Sequence, residues 1–130
     1  MHVNKFRELT FSAAHYLPNH PRCSTIHGHT YRIRNLELTC DAFVDFQQVK
    51  AIIQSFDHVF LVPREHMQFW ERLRSTLFEK CGIMLNVRYI WKTPTVEDLA
   101  IAIQKELLSI SGVTDVHFEL YEGDNQGVRV

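Results

Sequence analysis

The order of apolar and polar positions along the chain predicts a mixture of strands and helices. Alternation with a period of two is typical of a half-buried strand, and apolar residues three or four apart are typical of a helix with one buried face. The pattern predicts strands at residues 3–12, 30–40, 84–91 and 113–121, helices at 46–55, 63–80 and 95–109, and a last short strand at 128–130. This order predicts an α+β domain with helices packed on one face of an antiparallel sheet.

Local signals set the ends of several of these elements. Thr95 can cap the third helix, and Cys81-Gly82 is typical of the C-terminal end of the second. The alternation of the second strand slips at Arg34-Asn35, which predicts a bulge. Pro18 and Pro21 interrupt regular structure between the first two strands, so the sequence predicts a loop there.

Length and composition are those of one folded domain. The chain has 130 residues, a formal net charge of -1 and 45% hydrophobic residues, which predicts a single domain over residues 1–130. The near-neutral charge argues against nucleic acid as a partner, and no apolar run is long enough to span a bilayer. The N-terminal residues lack the apolar core of a signal peptide, and three irregularly spaced cysteines fit a reducing compartment. We therefore expect a cytoplasmic protein with no membrane partner.

Three histidines lie near the junction of the first two predicted strands. His27 and His29 are two residues apart, so on a strand their side chains point to the same face. His15 ends an earlier alternating run that can lie beside them. Three neutral imidazoles with one open position are typical of a catalytic zinc site rather than a closed structural one. The sequence favours metal binding over the alternative that these are ordinary polar residues of a strand surface.

Three further groups are candidates for acid–base or binding chemistry. Cys23 lies four residues before His27, close enough to be a fourth ligand or a nearby acid–base group. Asp57 beside His58 is either a helix-end or surface pair, or an acid–base group whose pKa the adjacent carboxylate tunes. Glu122 ends the last long strand. Because an unpaired buried carboxylate is costly, Glu122 is either exposed or bound to a donor-rich partner.

Together these motifs resemble the family of 6-pyruvoyltetrahydropterin synthase and its bacterial relative, 6-carboxytetrahydropterin synthase of the queuosine pathway. The cysteine-plus-His-Gly-His element is fairly specific, and its combination with the later motifs is strongly so. The matching elements follow the family's order across nearly the whole chain: Phe11-Ser-Ala-Ala-His15, Cys23-x-x-x-His27-Gly-His29, Val44-Asp-Phe46 with Lys50, Asp57-His58, Pro94-Thr95-x-Glu97-Asp98-Leu-Ala100 and Glu122.

The resemblance implies a tunnelling fold (T-fold), in which an antiparallel sheet is backed by helices. Three such subunits would close an oligomeric barrel, and two trimers would stack into a homohexamer. It also implies a role for nine residues. The implied zinc ligands are His15, His27 and His29. The implied catalytic residues are Cys23, Asp57 and His58. The implied substrate-binding residues are Glu122, which would anchor the pterin ring, and Thr95 and Glu97, which lie in a block that lines the pterin pocket.

The implied activity is that of a zinc-dependent carbon–oxygen lyase that eliminates triphosphate from 7,8-dihydroneopterin triphosphate. The version that the sequence favours is 6-carboxy-5,6,7,8-tetrahydropterin synthase. The alternatives are 6-pyruvoyltetrahydropterin synthase and a non-catalytic relative that binds pterin or metal. Two departures from the family pattern bear on side-chain specificity: Val62 replaces an asparagine, and Gly123-Asp124-Asn125 replaces small hydroxylated residues.

Overall fold

Six strands and three α-helices alternate in the computed structural model, which describes residues 1–130. The elements are β1 (His2–His15), β2 (His27–Cys40), α1 (Phe46–Gln54), β3 (Val59–Pro63), a 3-10 turn (Arg64–His66), α2 (Met67–Cys81), β4 (Val87–Ile90), α3 (Val96–Leu108), β5 (Val113–Glu122) and β6 (Gln126–Arg129). All six strands form one sheet in the order β4-β3-β1-β2-β5-β6. The predicted α+β class is confirmed. None of the helices combines the length and the apolar character needed to cross a membrane.

The sheet is mixed, whereas the sequence predicted a wholly antiparallel one. β2 runs antiparallel to both β1 and β5, and β5 runs antiparallel to β6, but β3 is parallel to β1 and to β4. The periodicity missed β3 because Phe60, Leu61 and Val62 are all buried. A strand covered on both faces reads as a continuous apolar run without alternation.

One face of the sheet carries the hydrophobic core. Along β2 and β5, buried residues such as Tyr31 and Phe118 alternate with more exposed ones, and they pack beneath α1 and α3. α1 buries Val49 and Ile53. α3 buries the four residues Leu99, Ala100, Ile103 and Leu107. These two helices therefore form the layer that the sequence predicted.

The predicted bulge in β2 is confirmed. The register between β2 and β5 shifts between Arg34 and Glu37, and Asn35 adopts a positive φ of 53°. The buried positions change from Ile33 to Leu36 across this point. On a regular strand, residues three apart point to opposite faces. Ile33 and Leu36 both point to the core because the bulge adds one residue between them.

Helix α2 lies on the opposite face, which corrects the expectation that all helices share one face. Trp70 packs edge-on against Phe60, with ring centroids 4.8 Å apart, and Phe60 alternates with the core residue Leu61. No residue of α2 is fully buried. At its other edge, the Tyr89 hydroxyl of β4 donates a hydrogen bond to Glu71. α2 is thus held by a few aromatic and polar contacts rather than by the core.

The start of α3 brings a loop against the end of β1. The side chain of Thr95 accepts a hydrogen bond from the N–H of Asp98 (3.2 Å), so Thr95 is the N-cap that the sequence predicted. The preceding residue, Pro94, is buried and lies beside His15. The cap therefore fixes a backbone carbonyl at the position where the candidate site begins.

Candidate functional site

Three histidine side chains meet where β1 ends and β2 begins. The register pairs His15 with His27 and Ala13 with His29, so all three rings lie on the core face of the sheet. Their ligand nitrogens lie within 4.8 Å of one another, and the Nε2 atoms of His15 and His27 are 3.0 Å apart. The structure therefore brings together the three histidines that the spacing singled out.

Backbone carbonyls orient two of these rings. Nδ1 of His15 lies 2.8 Å from the carbonyl oxygen of Pro94, and Nδ1 of His27 lies 2.6 Å from that of Thr25. A carbonyl only accepts, so each Nδ1 carries the proton and donates it. The Nε2 lone pairs are then free to face the shared space, as in ligating histidines. Sequence reasoning did not identify these carbonyls, although the cap at Thr95 marked the place of one of them.

The third histidine lies against Glu122. Nε2 of His29 is 2.8 Å from Oε1 of Glu122, yet this buried nitrogen has no contact with the angles of a hydrogen bond. The β2–β5 register places Glu122 opposite Tyr31, which makes it a diagonal neighbour of His29 on the same face. A buried ring nitrogen without a hydrogen bond, next to two others, fits a divalent metal ion.

The environment of His15 and His29 favours their neutral, ligating form. Burial, opposed by the Pro94 carbonyl and reinforced by the two neighbouring histidines, lowers the pKa of His15 to about 4. Burial also lowers the pKa of His29, and the charge of Glu122 opposes that effect. Neutral imidazoles are the form that binds zinc and other transition metals.

Cys23 does not join the group of three histidines. It lies in the loop between β1 and β2, where its thiol is free and half-buried. Its N–H donates to Nδ1 of His20 (3.0 Å), and its carbonyl accepts from the N–H of Leu17 (2.7 Å). Because the sulfur lies outside the triad, its position favours the acid–base alternative over a fourth metal ligand.

Asp57 and His58 form a hydrogen-bonded pair directly after α1. His58 Nδ1 lies 2.7 Å from Asp57 Oδ2, and Asp57 also accepts from the N–H of Ser12 (2.8 Å). The Ser12 N–H holds the pKa of Asp57 below its ordinary value, and His58 adds to this effect. The backbone of His58 has a positive φ of 58°, held by its N–H donating to the Ser12 carbonyl (2.7 Å). A non-glycine residue kept in this region is typical of functional sites.

The His58 side chain of this pair borders a groove and lies outside the triad. His58, whose side chain is 82% exposed, borders a groove of about 790 Å³ beneath α2. The groove is lined by residues that include Ser12, Ala14 and Thr30. Along β1 and β2 these positions alternate with those of the triad, so they lie on the other face of the sheet. His29 of the triad also borders the groove. Within one chain, Asp57 and His58 thus lie outside the histidine group.

The remaining predicted residues flank the triad. Thr95 uses its hydroxyl oxygen as a cap, which gives it a structural role in the single chain. Glu97 is exposed in the first turn of α3. Both follow Pro94, which contacts His15, so the block lies beside the site without contributing a metal ligand.

Comparisons with known proteins agree with this geometry. The family model described as 6-pyruvoyl tetrahydropterin synthase matches residues 5–130. A protein of Methanocaldococcus jannaschii, provisionally named 6-carboxy-5,6,7,8-tetrahydropterin synthase, is 30% identical over 142 aligned positions, covering 92% of this chain and 87% of its own. A 6-carboxy-5,6,7,8-tetrahydropterin synthase of Haemophilus influenzae is 29% identical over 76 residues, 51% of each chain.

A solved structure supports the same fold. The crystal structure of 6-pyruvoyl tetrahydropterin synthase from Plasmodium vivax has a TM-score of 0.62 to this chain, covers 100% of it and 98% of its own length, and is 15% identical. Likeness at this identity concerns the fold alone, and it confirms the T-fold. Since the family model spans nearly the whole sequence, the chain belongs to the 6-pyruvoyl tetrahydropterin synthase family.

Proposed function

We propose that the chain is a zinc-dependent lyase that eliminates triphosphate from 7,8-dihydroneopterin triphosphate and forms 6-carboxy-5,6,7,8-tetrahydropterin, a step of queuosine biosynthesis. The observation that carries the proposal is the convergence of three histidines, two of them oriented by backbone carbonyls, in a member of this family. The names of the relatives in M. jannaschii and H. influenzae favour the carboxylated product. The family name itself favours the second candidate, 6-pyruvoyltetrahydropterin.

His15, His27 and His29 would hold the metal ion. When bound, such an ion would supply Lewis-acid chemistry that stabilises negative charge on the side-chain oxygens of the substrate. The open position of a three-histidine site leaves room for these oxygens. Cys23 and His58 lie outside this set, so they remain available for proton transfer, with Asp57 holding His58.

The proton-transfer groups are Cys23 and His58. A cysteine thiolate placed beside the substrate is a base that can remove a carbon-bound proton. His58, held by Asp57 over 2.7 Å, can return or relay a proton. Elimination of triphosphate follows, and formation of the carboxylated product also requires that one water adds and that the two outer side-chain carbons leave as acetaldehyde. Because His58 borders the groove in one chain, we propose that it completes the site of a neighbouring subunit in a homotrimer or homohexamer.

The pterin ring would bind Glu122, with Thr95 and Glu97 lining the pocket. A carboxylate can accept two N–H donors from the aminopyrimidinone edge, a bidentate charge-assisted pair. Glu122 is half-buried and its contact in the single chain is with His29. A donor-rich ring would therefore give this carboxylate the partners that its burial requires. The three free cysteines are consistent with a cytoplasmic setting.

The decisive experiment is incubation of the zinc-loaded protein with 7,8-dihydroneopterin triphosphate. We expect release of triphosphate and a product with the mass of 6-carboxy-5,6,7,8-tetrahydropterin. A product that retains all three side-chain carbons would instead establish the pyruvoyl-forming activity. Tight pterin binding without triphosphate release would contradict the proposal and establish a non-catalytic binding protein.

A further inference from the structure

The loop of residues 16–26 carries Cys23 and begins directly after His15. Its first residue, Tyr16, is attached to the segment that follows β3. The Tyr16 hydroxyl lies 2.7 Å from Nδ1 of His66, and Nε1 of Trp70 donates to it over 2.8 Å. The hydroxyl accepts from Trp70, because the tryptophan N–H only donates, and its own proton is free to be donated to His66 Nδ1. Both hydrogen-bonding partners of this hydroxyl therefore belong to one short stretch of chain.

Packing reinforces the same attachment. The ring of Tyr16 contacts Phe60 and Trp70 with centroids 5.8 and 5.9 Å away, and it lies nearly parallel to the ring of His66. Phe60 belongs to the buried strand β3, so Tyr16 bridges a fixed part of the sheet and the start of α2. Partial burial raises the pKa of the phenol above its ordinary value, which keeps the hydroxyl protonated as a donor.

The far end of the loop meets the same segment. Ser24 and Ile26 border a cleft whose other wall comes from the 3-10 turn and the first turns of α2. Between these ends, the hydrogen bonds of the loop join loop residues to one another, as in Leu17 to Cys23 and Cys23 to His20. They define the shape of the loop but not its position relative to the sheet. That position depends on the ends, and chiefly on Tyr16.

We propose that Tyr16, held by His66 and Trp70, is a positioning residue that fixes the Cys23 loop relative to the histidine triad. The segment of residues 64–81 then serves the reaction rather than forming an appendage to the fold. Its catalytic consequence rests on the proposed function, because it requires that Cys23 takes part in turnover. The attachment of the loop does not depend on that function.

The test compares two variants that each remove one phenolic hydroxyl bound to this segment. Tyr16→Phe removes the hydroxyl shared by His66 and Trp70, and Tyr89→Phe removes the one that donates to Glu71 at the other edge of α2. Alkylation of zinc-loaded protein by iodoacetamide is followed by peptide mass spectrometry, with the exposed Cys81 as internal reference. We expect the alkylation rate of Cys23 to rise at least about fivefold in Tyr16→Phe, because the variant loses two hydrogen bonds and the loss of one already changes the open fraction of a loop by about that factor. Tyr89→Phe is expected to keep the wild-type rate.

Turnover supplies the second readout. In Tyr16→Phe, kcat for triphosphate release is expected to fall about tenfold with KM within about twofold, because a misplaced reacting group affects the chemical step more than binding. Zinc content stays unchanged. His66→Ala is expected to reproduce the effect, whereas His66→Gln rescues it, since an amide oxygen can accept the hydroxyl proton.

Three results would overturn the inference. The first is that Tyr16→Phe keeps the wild-type Cys23 alkylation rate and the wild-type kcat. The second is that Tyr89→Phe changes the Cys23 alkylation rate as much as Tyr16→Phe does. The third is loss of zinc in Tyr16→Phe, which would mean that Tyr16 acts on His15. Alkylation needs no pterin. If the wild-type protein releases no triphosphate, the proposed function fails while the alkylation comparison still decides the role of Tyr16.

Discussion

The two faces of the sheet differ in composition and in what they carry. The face under α1 and α3 holds a cluster of 21 buried apolar residues, and the histidine triad lies at the end of that cluster. The other face is polar over β1, β2 and β5. There, Glu8 pairs with Arg32 (2.9 Å), and Arg34 lies over the ring of Tyr121 at 5.0 Å. This contrast indicates that the candidate metal ligands lie on the rigid face of the sheet, where packing holds side chains in place.

The helices repeat the same contrast. α3 buries four residues, whereas α2 buries none and is attached through hydroxyls and aromatic rings. Stability is therefore concentrated on the triad face. The groove face carries exposed groups such as His58, which we propose act against a neighbouring subunit. The predictions below test this division, from the largest expected effect to the smallest.

The largest effect is expected for Cys23→Ala. Turnover should fall about 10³-fold, within the range that a positioned proton-transfer group contributes. Zinc content, measured by mass spectrometry of the metal, should stay at the wild-type level because Cys23 lies outside the triad. His27→Ala is the matched control and should lose both zinc and turnover. Loss of zinc from Cys23→Ala would make the sulfur a necessary ligand.

The next effect concerns the two helices. Leu107→Ala in α3 should lower the free energy of unfolding by about 3 kcal/mol, since Leu107 is fully buried in the core. Leu77→Ala in α2 should lower the free energy of unfolding by less than about 1 kcal/mol, because Leu77 only lines the groove. Urea unfolding at one fixed chain concentration measures both. Equal costs would show that α2 belongs to the cooperative core and would remove the contrast between the faces.

A smaller effect is expected for Glu122→Gln. Neutralising this carboxylate removes a charge-assisted pair with the pterin edge, so dihydroneopterin affinity, measured by calorimetry, should fall about tenfold. Glu119→Gln is the matched control on the same strand. Glu119 accepts from Asn35 (3.2 Å) and alternates with core residues, so it lies on the polar face and should leave affinity unchanged. Unchanged affinity in Glu122→Gln would remove Glu122 from the pterin pocket.

The triad was predictable from sequence because it depends on short-range order. A spacing of two places His27 and His29 on one face, and antiparallel pairing of consecutive strands brings His15 beside them. The T-fold itself came from the resemblance rather than from periodicity. Glu122 was recognisable as a carboxylate at a strand end that needs a partner, but its neighbour His29 was not.

What could not be predicted depends on long-range pairing. The position of Asp57 and His58 follows from β3 lying parallel to β1, and the apolar run of β3 conceals that strand. Asp57 and Ser12, which hold each other, are 45 residues apart. The carbonyl of Pro94 that orients His15 is 79 residues away from it. Contacts of this kind are set by the assembled sheet and leave no local pattern in the chain.

The smallest effect concerns the charge on Asp57. The Ser12 N–H and His58 lower the pKa of this carboxyl below its ordinary 3.8. A carboxylate with a lowered pKa in the folded state stabilises the fold above its unfolded pKa and loses that contribution as pH falls through the folded pKa. Asp57→Asn keeps an acceptor for Ser12 but removes the charge. It should therefore lower the free energy of unfolding by about 1 kcal/mol at pH 7, and the difference should disappear as the pH falls below the lowered pKa of Asp57.

Urea unfolding of EDTA-treated protein across this pH range measures the effect without interference from metal release. Asp115→Asn is the control, because Asp115 pairs with His117 (2.9 Å) on the open surface, where an ion pair contributes little. A cost for Asp57→Asn that does not change with pH would trace the effect to shape rather than charge. It would also mean that the charge of Asp57 stabilises the fold no more than that of an exposed ion pair. Contacts with another subunit would then be needed to hold His58 in a fixed position.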